Sequence, residues 1–326
     1  MDYVKFGHTG LEVSPLCLGA MGFGDPKSGF HEWVLEETES REVIKKALDL
    51  GINFFDTANI YSYGASEEIL GKALNYFASR DEIVVATKLY SKMKKAPNSG
   101  GLSRKAIFFE IEQSLERLQM DYVDLYIIHR WDYTTPIEET MEALHDLVKT
   151  GKVRYIGASA MYAWQFAKAQ AVADKHGWTK FVSMQNHLNL LYREEEREML
   201  PLCDDQKIAI TPYSPLAAGR LTRDWDAQTK RFATDKTAQS KYDQTKEQDQ
   251  LIVRRVAEIA ETRQVKRAQV ALAWLLQKES VVAPIIGATK ESHLLDALPA
   301  IELKLSTEEV AYLEEPYLPH AVVGAN

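Results

Sequence analysis

Four side chains that could perform chemistry lie at or just beyond the ends of apolar segments. Asp56, Lys88 and His129 each end such a segment, and Tyr61 follows Asp56 by five residues. A charged or titratable group beside a buried strand must pair with another group or take part in a reaction. Taken singly, each has a simpler explanation: Asp56 could belong to a turn, Lys88 could be a solvated strand end, and His129 could be a satisfied core histidine.

Together, the four side chains predict a site that reduces a carbonyl group. An aspartate and a lysine in contact form an ion pair, and the ammonium favours the phenolate of a nearby tyrosine. We therefore expect the pKa of Tyr61 to be lowered. A phenol of this kind can give a proton to a carbonyl oxygen and take it back, while His129 hydrogen-bonds the same oxygen. The hydride must come from another source.

The elements that must position these residues alternate along the chain. Short apolar or β-branched segments are separated by amphipathic stretches of helical period, such as 39–50, 104–119 and 137–149. The apolar segments cover residues 15–21, 53–58, 82–88, 123–129, 153–159, 181–187, 208–215 and 281–288. Eight such units predict an α/β fold, a (β/α)8 TIM barrel, with residues 1–326 as a single domain.

The carboxyl ends of all strands meet on one face of such a barrel, which is where active sites lie. We expect extra helices and long loops on this C-terminal face. Residues 216–248 are polar and predict a long loop that is mobile without cofactor, followed by helices at 250–264 and 267–278. Residues 90–103 predict a second irregular segment, and the last 25 residues a helix and a tail that could fold over one barrel face.

Composition and motifs limit the other classes of function. The net charge of −8 argues against nucleic acid as a partner, and no signal-peptide pattern or membrane-length apolar run is present, so we expect a cytoplasmic protein. The glycines of "GAMGFG" and "GASEEILGK" lack the spacing of dinucleotide-binding and P-loop motifs. Histidine and cysteine spacing predicts no metal site, and Cys17 and Cys203 are expected to be small buried side chains.

The sequence resembles the aldo-keto reductase superfamily over essentially its whole length. Asp56, Tyr61, Lys88 and His129 match the Asp-Tyr-Lys-His tetrad of that family. The surrounding motifs are "LGAMGFG", "GINFFDTANIYSYGASEEILGKAL", "VVATK", "MDYVDLYIIHRWD", "GKVRYIGAS", "TPYSPLAAGRLT" and "APIIGATKESHL". Further motifs, "HRWD", "YREEEREMLPLC" and "PYLPHAVVG", resemble a bacterial subgroup near the aryl-alcohol dehydrogenase-like reductases, some of which are labelled 1-deoxyxylulose-5-phosphate synthases.

This resemblance implies NADPH bound in an extended form across the barrel mouth, without a Rossmann domain. Ser159 and Gln185 would hold the carboxamide, Tyr213 would stack on the nicotinamide, and Lys290 would meet the adenosine phosphate. The full set of implied cofactor contacts is Gly19, Met21, Ser159, Gln185, Tyr213, Ser214, Leu216, Gly219, Arg220, Gly287, Thr289, Lys290 and His293. The sequence departs from the family where Ala160 replaces the usual asparagine.

The expected function is NADPH-dependent reduction of small aldehydes or ketones, with Tyr61 as the general acid. We expect the substrate pocket to be aromatic, with Met21, Phe23, Tyr90 and Trp131 around it. Two alternatives remain open: a sugar-phosphate enzyme linked to formation of 1-deoxyxylulose 5-phosphate, and a regulatory subunit that binds the cofactor without catalysis. A synthase would need a carbanion-stabilising cofactor, and the sequence has no thiamine-diphosphate signature. The sequence leaves the oligomeric state open.

Overall fold

The computed structural model describes residues 1–227 and 229–324. Gln228, inside the predicted 216–248 loop, and residues 325–326, at the end of the predicted tail, lie outside the described residues. A short antiparallel hairpin, β1 (Val4–Lys5) and β2 (Glu12–Val13), comes first. Within the described ranges, no helix is both long enough and apolar enough to cross a membrane.

Eight parallel strands then follow in chain order, as the alternating apolar segments predict. They are β3 (Cys17–Gly19), β4 (Phe54–Asp56), β5 (Val84–Leu89), β6 (Val123–Ile128), β7 (Val153–Ser159), β8 (Ser183–Gln185), β9 (Ala209–Ile210) and β10 (Ile285–Gly287). Each strand from β3 to β8 pairs with the next one, and β10 pairs with β3. A bridge between Ile210 and Val281 joins β9 to the segment before β10, so the sheet closes into the predicted barrel.

Helices connect the strands and cover the outside of the barrel. They are α1 (Glu37–Asp49), α2 (Ala65–Phe77), α3 (Arg104–Leu118), α4 (Ile137–Thr150), α5 (Ala163–His176), α6 (Met199–Gln206), α7 (Lys230–Thr234), α8 (Lys236–Tyr242), α9 (Lys246–Arg263), α10 (Arg267–Leu276), α11 (Glu291–Ala297) and α12 (Thr307–Glu314). Ser103 caps α3 by accepting a hydrogen bond from the backbone N–H of Ala106, and α4 ends at Gly151, whose φ is +78°. The predicted helices at 250–264 and 267–278 are α9 and α10.

Side chains alternate between two cores along each strand, because successive residues of a strand point to opposite faces. Phe54, Val84 and Leu125 belong to the cluster inside the barrel. Their neighbours Phe55 and Val85 belong to the larger cluster between the sheet and the helices. The hairpin adds Phe6 to the interior cluster, where its ring contacts Phe54 edge-on at 5.6 Å, and so closes the end of the barrel where the strands begin.

The prediction of an irregular loop over residues 216–248 is wrong. The segment contains a 3₁₀ turn at Ala217–Thr222, the helices α7 and α8, and a second 3₁₀ turn, and α9 already begins at Lys246. Helix α8 forms because Asp235 caps its first turn and because Ala238 and Tyr242, four residues apart, are both buried. The mobility of this segment stays a prediction. The irregular segment 90–103 is confirmed.

Candidate active site

Three of the predicted catalytic residues continue the interior rows of neighbouring strands. The residue two positions before each of Asp56, Lys88 and His129 belongs to the interior cluster. Those side chains are Phe54, Ala86 and Ile127. Because residues two apart on a strand point the same way, the three polar side chains face the inside of the barrel mouth. The apolar side chains below them and the polar side chains at the strand ends therefore belong to the same inward-facing rows.

Asp56 and Lys88 form a buried ion pair at this position. The Lys88 ammonium lies 2.5 Å from Asp56 Oδ1 and is fully buried, and Asp56 is 2% exposed. Lys88 also donates to the Thr57 carbonyl at 2.8 Å and to the Tyr61 hydroxyl at 3.3 Å, so it has three oxygen partners. Burial acts to lower the pKa of Lys88, but Asp56 and Tyr61 outweigh it and the pKa is raised. Lys88 is therefore charged at neutral pH.

Tyr61 lies within reach of this pair but is itself partly exposed. The prediction that its pKa is lowered is wrong. Burial is the largest influence and raises the pKa of Tyr61, and although Lys88 opposes this effect, the net shift is upward. The phenol therefore carries its proton at neutral pH, which is the form that a general acid needs.

His129 completes the group of four. Its ring lies 5.9 Å from the Tyr61 ring, nearly perpendicular to it, and its Nδ1 is buried without a hydrogen-bond partner in the described structure. Burial lowers the pKa of His129 well below its usual range, and the cations Lys88, Arg130 and Lys241 add to the effect. The imidazole is therefore neutral, with one N–H that can donate to an oxygen.

The turn that carries Tyr61 is held by contacts that the sequence pattern did not show. Ser62 and Tyr63 both have positive φ, and the backbone N–H of Asn59 donates to the Lys88 carbonyl at 3.1 Å. The Asn59 side chain donates to Glu110 on α3 at 2.9 Å. Gly24 lies so close that an added Cβ would stand 2.0 Å from Ser62 Oγ. Two neighbouring segments thus fix the position of the phenol.

Several residues assigned to the cofactor by resemblance also meet at the mouth. Gly19, Ser159 and Gln185 are the last residues of β3, β7 and β8. The side-chain nitrogen of Gln185 donates to Asp56 Oδ2 at 2.9 Å, so this residue connects the implied carboxamide site with the ion pair. Ala160, in place of the family asparagine, has a φ of +45° and its N–H donates to the Gln185 carbonyl.

Tyr213, which the resemblance places against the nicotinamide, already has several protein neighbours. Its ring stacks on His187, with centroids 5.2 Å apart, and the Lys241 ammonium lies 4.7 Å from the ring centroid. A Cβ added to Gly324 would lie 3.0 Å from the Tyr213 hydroxyl, so the C-terminal tail crosses the mouth as predicted. The tail is held nearby by a hydrogen bond from the Val323 N–H to the Tyr192 hydroxyl.

The implied diphosphate segment follows Tyr213 directly. Ser214, Ala217, Ala218 and Gly219 all have positive φ, so the segment is a tight turn, and the N–H groups of Ala217 and Gly219 donate to carbonyls within it. Leu216 is partly exposed beside them. Arg220, expected to meet the diphosphate, is 3% exposed.

The Arg220 guanidinium is already engaged by other parts of the 216–248 segment. It lies 2.5 Å from the Asp243 carboxylate and over the rings of Trp225, Phe232 and Tyr242. These contacts make Arg220 the centre around which the turn, α7 and α8 pack.

The implied adenosine-phosphate segment lies at the open end of β10. Gly287 is exposed, and an added Cβ there would meet nothing within 4 Å. Lys290 is exposed and forms no ion pair among the described residues. The backbone N–H of Thr289 donates to His293 Nδ1 at 3.3 Å. The His293 side chain, which the resemblance assigned to the cofactor, therefore bonds to its own segment. The remaining implied contact, Met21, is partly exposed beside Gly22.

The substrate pocket differs from the expectation. Phe23 is fully buried in the core between sheet and helices and cannot line a pocket. Trp131 is 8% exposed and its ring lies 6.1 Å from that of the exposed Trp164. Phe30, which the sequence did not single out, lies 6.2 Å from the Tyr61 ring and is partly exposed. The one sequence signal that could have identified Phe30 as a site residue is its position next to a glycine in an irregular loop.

Among the described residues, no group of three or more His, Cys, Asp or Glu side chains could hold a metal ion. Both cysteines are buried and unpaired, and burial raises the pKa of both thiols.

Comparison with known proteins agrees with this geometry. The profile of the Aldo/keto reductase family matches residues 15–317. An aldo-keto reductase of Fusarium vanettenii is 44% identical, with 99% of this chain and 93% of the relative covered. A putative aryl-alcohol dehydrogenase of Schizosaccharomyces pombe is 44% identical, covering 99% and 97%. The versiconal hemiacetal acetate reductase of Aspergillus parasiticus is 43% identical, covering 99% and 98%.

The chain therefore belongs to the aldo-keto reductase family. Its function is the reduction of carbonyl compounds by hydride from a nicotinamide cofactor. These relatives are fungal, and they do not carry the bacterial synthase label of the subgroup that the motifs resemble. The sugar-phosphate and regulatory alternatives are not favoured.

Proposed function

We propose that this protein is an NADPH-dependent reductase of small aldehydes or ketones, working as a single barrel domain in the cytoplasm. The observation that carries the proposal is the Lys88 ammonium, buried against Asp56 and 3.3 Å from the Tyr61 hydroxyl, beside a neutral His129. The relatives named as aryl-alcohol dehydrogenase and hemiacetal acetate reductase support a carbonyl substrate. The bacterial aryl-alcohol dehydrogenase-like subgroup stays our inference from the motifs.

Proton transfer is assigned to Tyr61. Its raised pKa keeps the phenol protonated, and the substrate oxygen takes that proton as negative charge develops on it. The phenolate that remains is stabilised by the Lys88 ammonium, whose own charge is maintained by Asp56. His129 donates its N–H to the same oxygen and orients the carbonyl. General acid catalysis of this kind contributes typically ~10²–10⁴-fold.

The residues present suit a dinucleotide across the mouth. The bound cofactor supplies the hydride. The tight turn that follows Tyr213 is the segment that the resemblance assigns to the diphosphate, and the open space above Gly287 leaves room for a ligand. The exposed Lys290 offers a cation to a 2′-phosphate, which is the reason to prefer NADPH over NADH. Gln185, being bonded to Asp56, joins the carboxamide end to the catalytic group.

A panel of aldehydes and ketones tests the reaction class. The purified protein is mixed with each carbonyl and with NADPH or NADH, and the loss of reduced cofactor is followed by absorbance. We expect turnover of several aldehydes, with a lower KM for NADPH. Absence of turnover with every carbonyl would overturn the proposal. Equal use of NADPH and NADH would overturn the assignment of NADPH as the preferred cofactor.

A parallel incubation separates this proposal from synthase chemistry. Pyruvate and a triose phosphate are supplied without reduced cofactor, and the products are analysed. We expect no carbon–carbon bond formation, because the described site offers no group that stabilises a carbanion.

A further inference from the structure

Two cations face the mouth of the barrel beside the catalytic group, and the proton-transfer mechanism uses neither. Arg130 directly follows His129, and its guanidinium donates to the His129 carbonyl at 3.0 Å. Lys241, on α8, reaches the same region from the other side, with its ammonium 4.7 Å from the Tyr213 ring centroid. Both residues are partly exposed.

The two cations are near enough to influence one another and the reacting groups. Burial, together with the charge of Arg130 and opposed by Asp235, lowers the pKa of Lys241 to about 8. Both cations also act to lower the pKa of His129. A small molecule whose carbonyl lies between Tyr61 and His129 is therefore within the electrostatic influence of both charges.

Neither cation has a carboxylate partner at ion-pair distance in the part of the chain that the structure describes. This separates them from the other positive groups around the mouth, since Lys88 is paired with Asp56 and Arg220 with Asp243. Two like charges, partly desolvated and without a counter-ion, are costly unless a negative group completes them. A negative group placed near both cations would offset this cost.

We infer that Arg130 and Lys241 form a subsite for an anionic group of the substrate, so that this reductase acts on carbonyl compounds that carry a carboxylate or a phosphate. The inference rests on the proposed function, because it gives the substrate class of the same site. Arg130 offers a planar fork of N–H groups suited to either anion, and Lys241 adds a compact second charge. The anion would fix the molecule at one end while the carbonyl meets Tyr61 at the other.

The contacts that hold the end of α8 support this role for Lys241. Tyr242, the next residue, shares a hydrogen bond of 2.7 Å with His187 and accepts one from Asn189, and Asp243 holds Arg220. The end of α8 is thus attached at Tyr242 to residues that follow β8, and at Asp243 to the turn that carries Arg220. The backbone of Lys241 is positioned by these contacts, while its long side chain can adjust to a ligand.

Matched pairs of substrates test the inference. 4-Carboxybenzaldehyde is compared with its methyl ester, and glyceraldehyde 3-phosphate with glyceraldehyde, each with saturating NADPH. We expect wild type to favour the charged member of one or both pairs by about tenfold to a hundredfold in kcat/KM, as charge-assisted bonds allow. The pair that shows the larger preference identifies carboxylate or phosphate as the natural group.

Variants assign the preference to the two residues. Lys241→Met and Arg130→Met should each remove most of the preference by raising KM for the charged member, with little change for the neutral one. Arg130→Lys should restore part of it. Lys236→Met, at the exposed start of the same helix, removes the same charge and should leave the preference unchanged. NADPH affinity, measured by fluorescence titration, and a melting curve accompany every variant.

Four outcomes would overturn the inference. Wild type could reduce both members of each pair equally. Lys241→Met could slow the neutral and charged members alike, which would make the cation part of the general machinery. It could weaken NADPH binding while the preference stays, which would assign the cation to the cofactor. Failure to reduce any of the four compounds, with NADPH bound, would overturn the proposed function together with this inference.

Discussion

Lys88 and Lys241 stand on opposite sides of the same barrel mouth, and their surroundings differ. Lys88 is fully buried with a carboxylate, a carbonyl and a hydroxyl as partners, and its pKa is raised. Lys241 is partly buried beside another cation, and its pKa is lowered to about 8. The carboxylate makes the difference, because burial alone disfavours both charges.

The contrast separates two uses of a lysine. A cation whose partners are all supplied by the protein is a fixed part of the site and can stabilise a phenolate in every turnover. A cation without a partner gains one only when a ligand arrives, and so it distinguishes between ligands. By our two proposals, the same type of side chain therefore supports catalysis at Lys88 and substrate selection at Lys241.

Removing Lys88 should have the largest effect. Lys88→Met leaves Asp56 buried without its cation, so the free energy of unfolding should fall by about 3–5 kcal/mol. The loss of the ammonium beside Tyr61 should also lower kcat by at least about 10²-fold. Urea denaturation and steady-state kinetics measure the two effects. Lys236→Met is the matched control, and a Lys88→Met protein of wild-type stability would show that Asp56 is satisfied without it.

Removing the phenolic hydroxyl should abolish chemistry with little loss of stability. Tyr61→Phe keeps the ring but has no proton to donate, so kcat should fall by roughly 10²–10⁴-fold. The lost hydrogen bond from Lys88 is long, at 3.3 Å, and Lys88 keeps two other oxygen partners, so the loss of stability should lie at the low end of the roughly 1.5–3 kcal/mol of a bond to a charged group. NADPH titration should give a nearly unchanged Kd.

The exposed Tyr63 provides the control for the Tyr61→Phe variant. Tyr63→Phe removes a hydroxyl two residues away and should leave kcat within about twofold of wild type. If Tyr61→Phe keeps more than about a tenth of wild-type kcat, His129 becomes the leading candidate for the acid.

Lys290→Ala should weaken NADPH without affecting NADH. The exposed ammonium is unpaired in the described structure and is assigned to the 2′-phosphate, which NADH lacks. A charge-assisted bond is worth roughly 1.5–3 kcal/mol, so Kd for NADPH should rise on the order of tenfold to a hundredfold. Equal titration curves for variant and wild type would remove Lys290 from this role.

The smallest effect should be a pH dependence that belongs to Lys241. Its pKa of about 8 means that the charge is present near neutral pH and is lost as the pH rises through 8. The preference for charged over neutral substrate should therefore decline by up to about tenfold between about pH 7 and pH 9.5. Kinetics of the matched substrate pairs across this range provide the measurement.

The groups around Lys241 should not obscure this titration. Arginine stays charged, so Arg130 does not contribute. Burial lowers the pKa values of His129 and His187, and raises that of Tyr213, so all three remain neutral. Asp235 is the acidic group that acts on Lys241. The same decline in Lys241→Met would assign the titration to another group.

The barrel could be predicted from sequence because strand and helix patterns are local. Apolar segments that alternate with helical periods determine eight parallel strands, and period two along a strand places Asp56, Lys88 and His129 on one face. The helix α8 could not be predicted in the same way. Its apolar residues Ala238 and Tyr242 are sparse in a polar stretch, and burial against Arg220 decides that they form a helix.

The residues of the candidate site were identifiable from their types, but their electrostatics were not. Sequence indicated that Lys88 would favour a phenolate, yet it could not show how deeply Tyr61 is buried, and burial reverses the direction of the pKa shift.

The sequence by itself determined the fold class, the four catalytic candidates and the family. Only the tertiary structure decided that Gln185 bonds Asp56, that Phe23 lies in the core, and that the charge of Arg130 acts on Lys241. The physical reason is that a strand pattern depends on neighbours in the chain, whereas the pairing of charges depends on segments far apart in it. Arg130 and Lys241 carry no motif together, and they meet because the barrel closes and α8 is attached across its mouth.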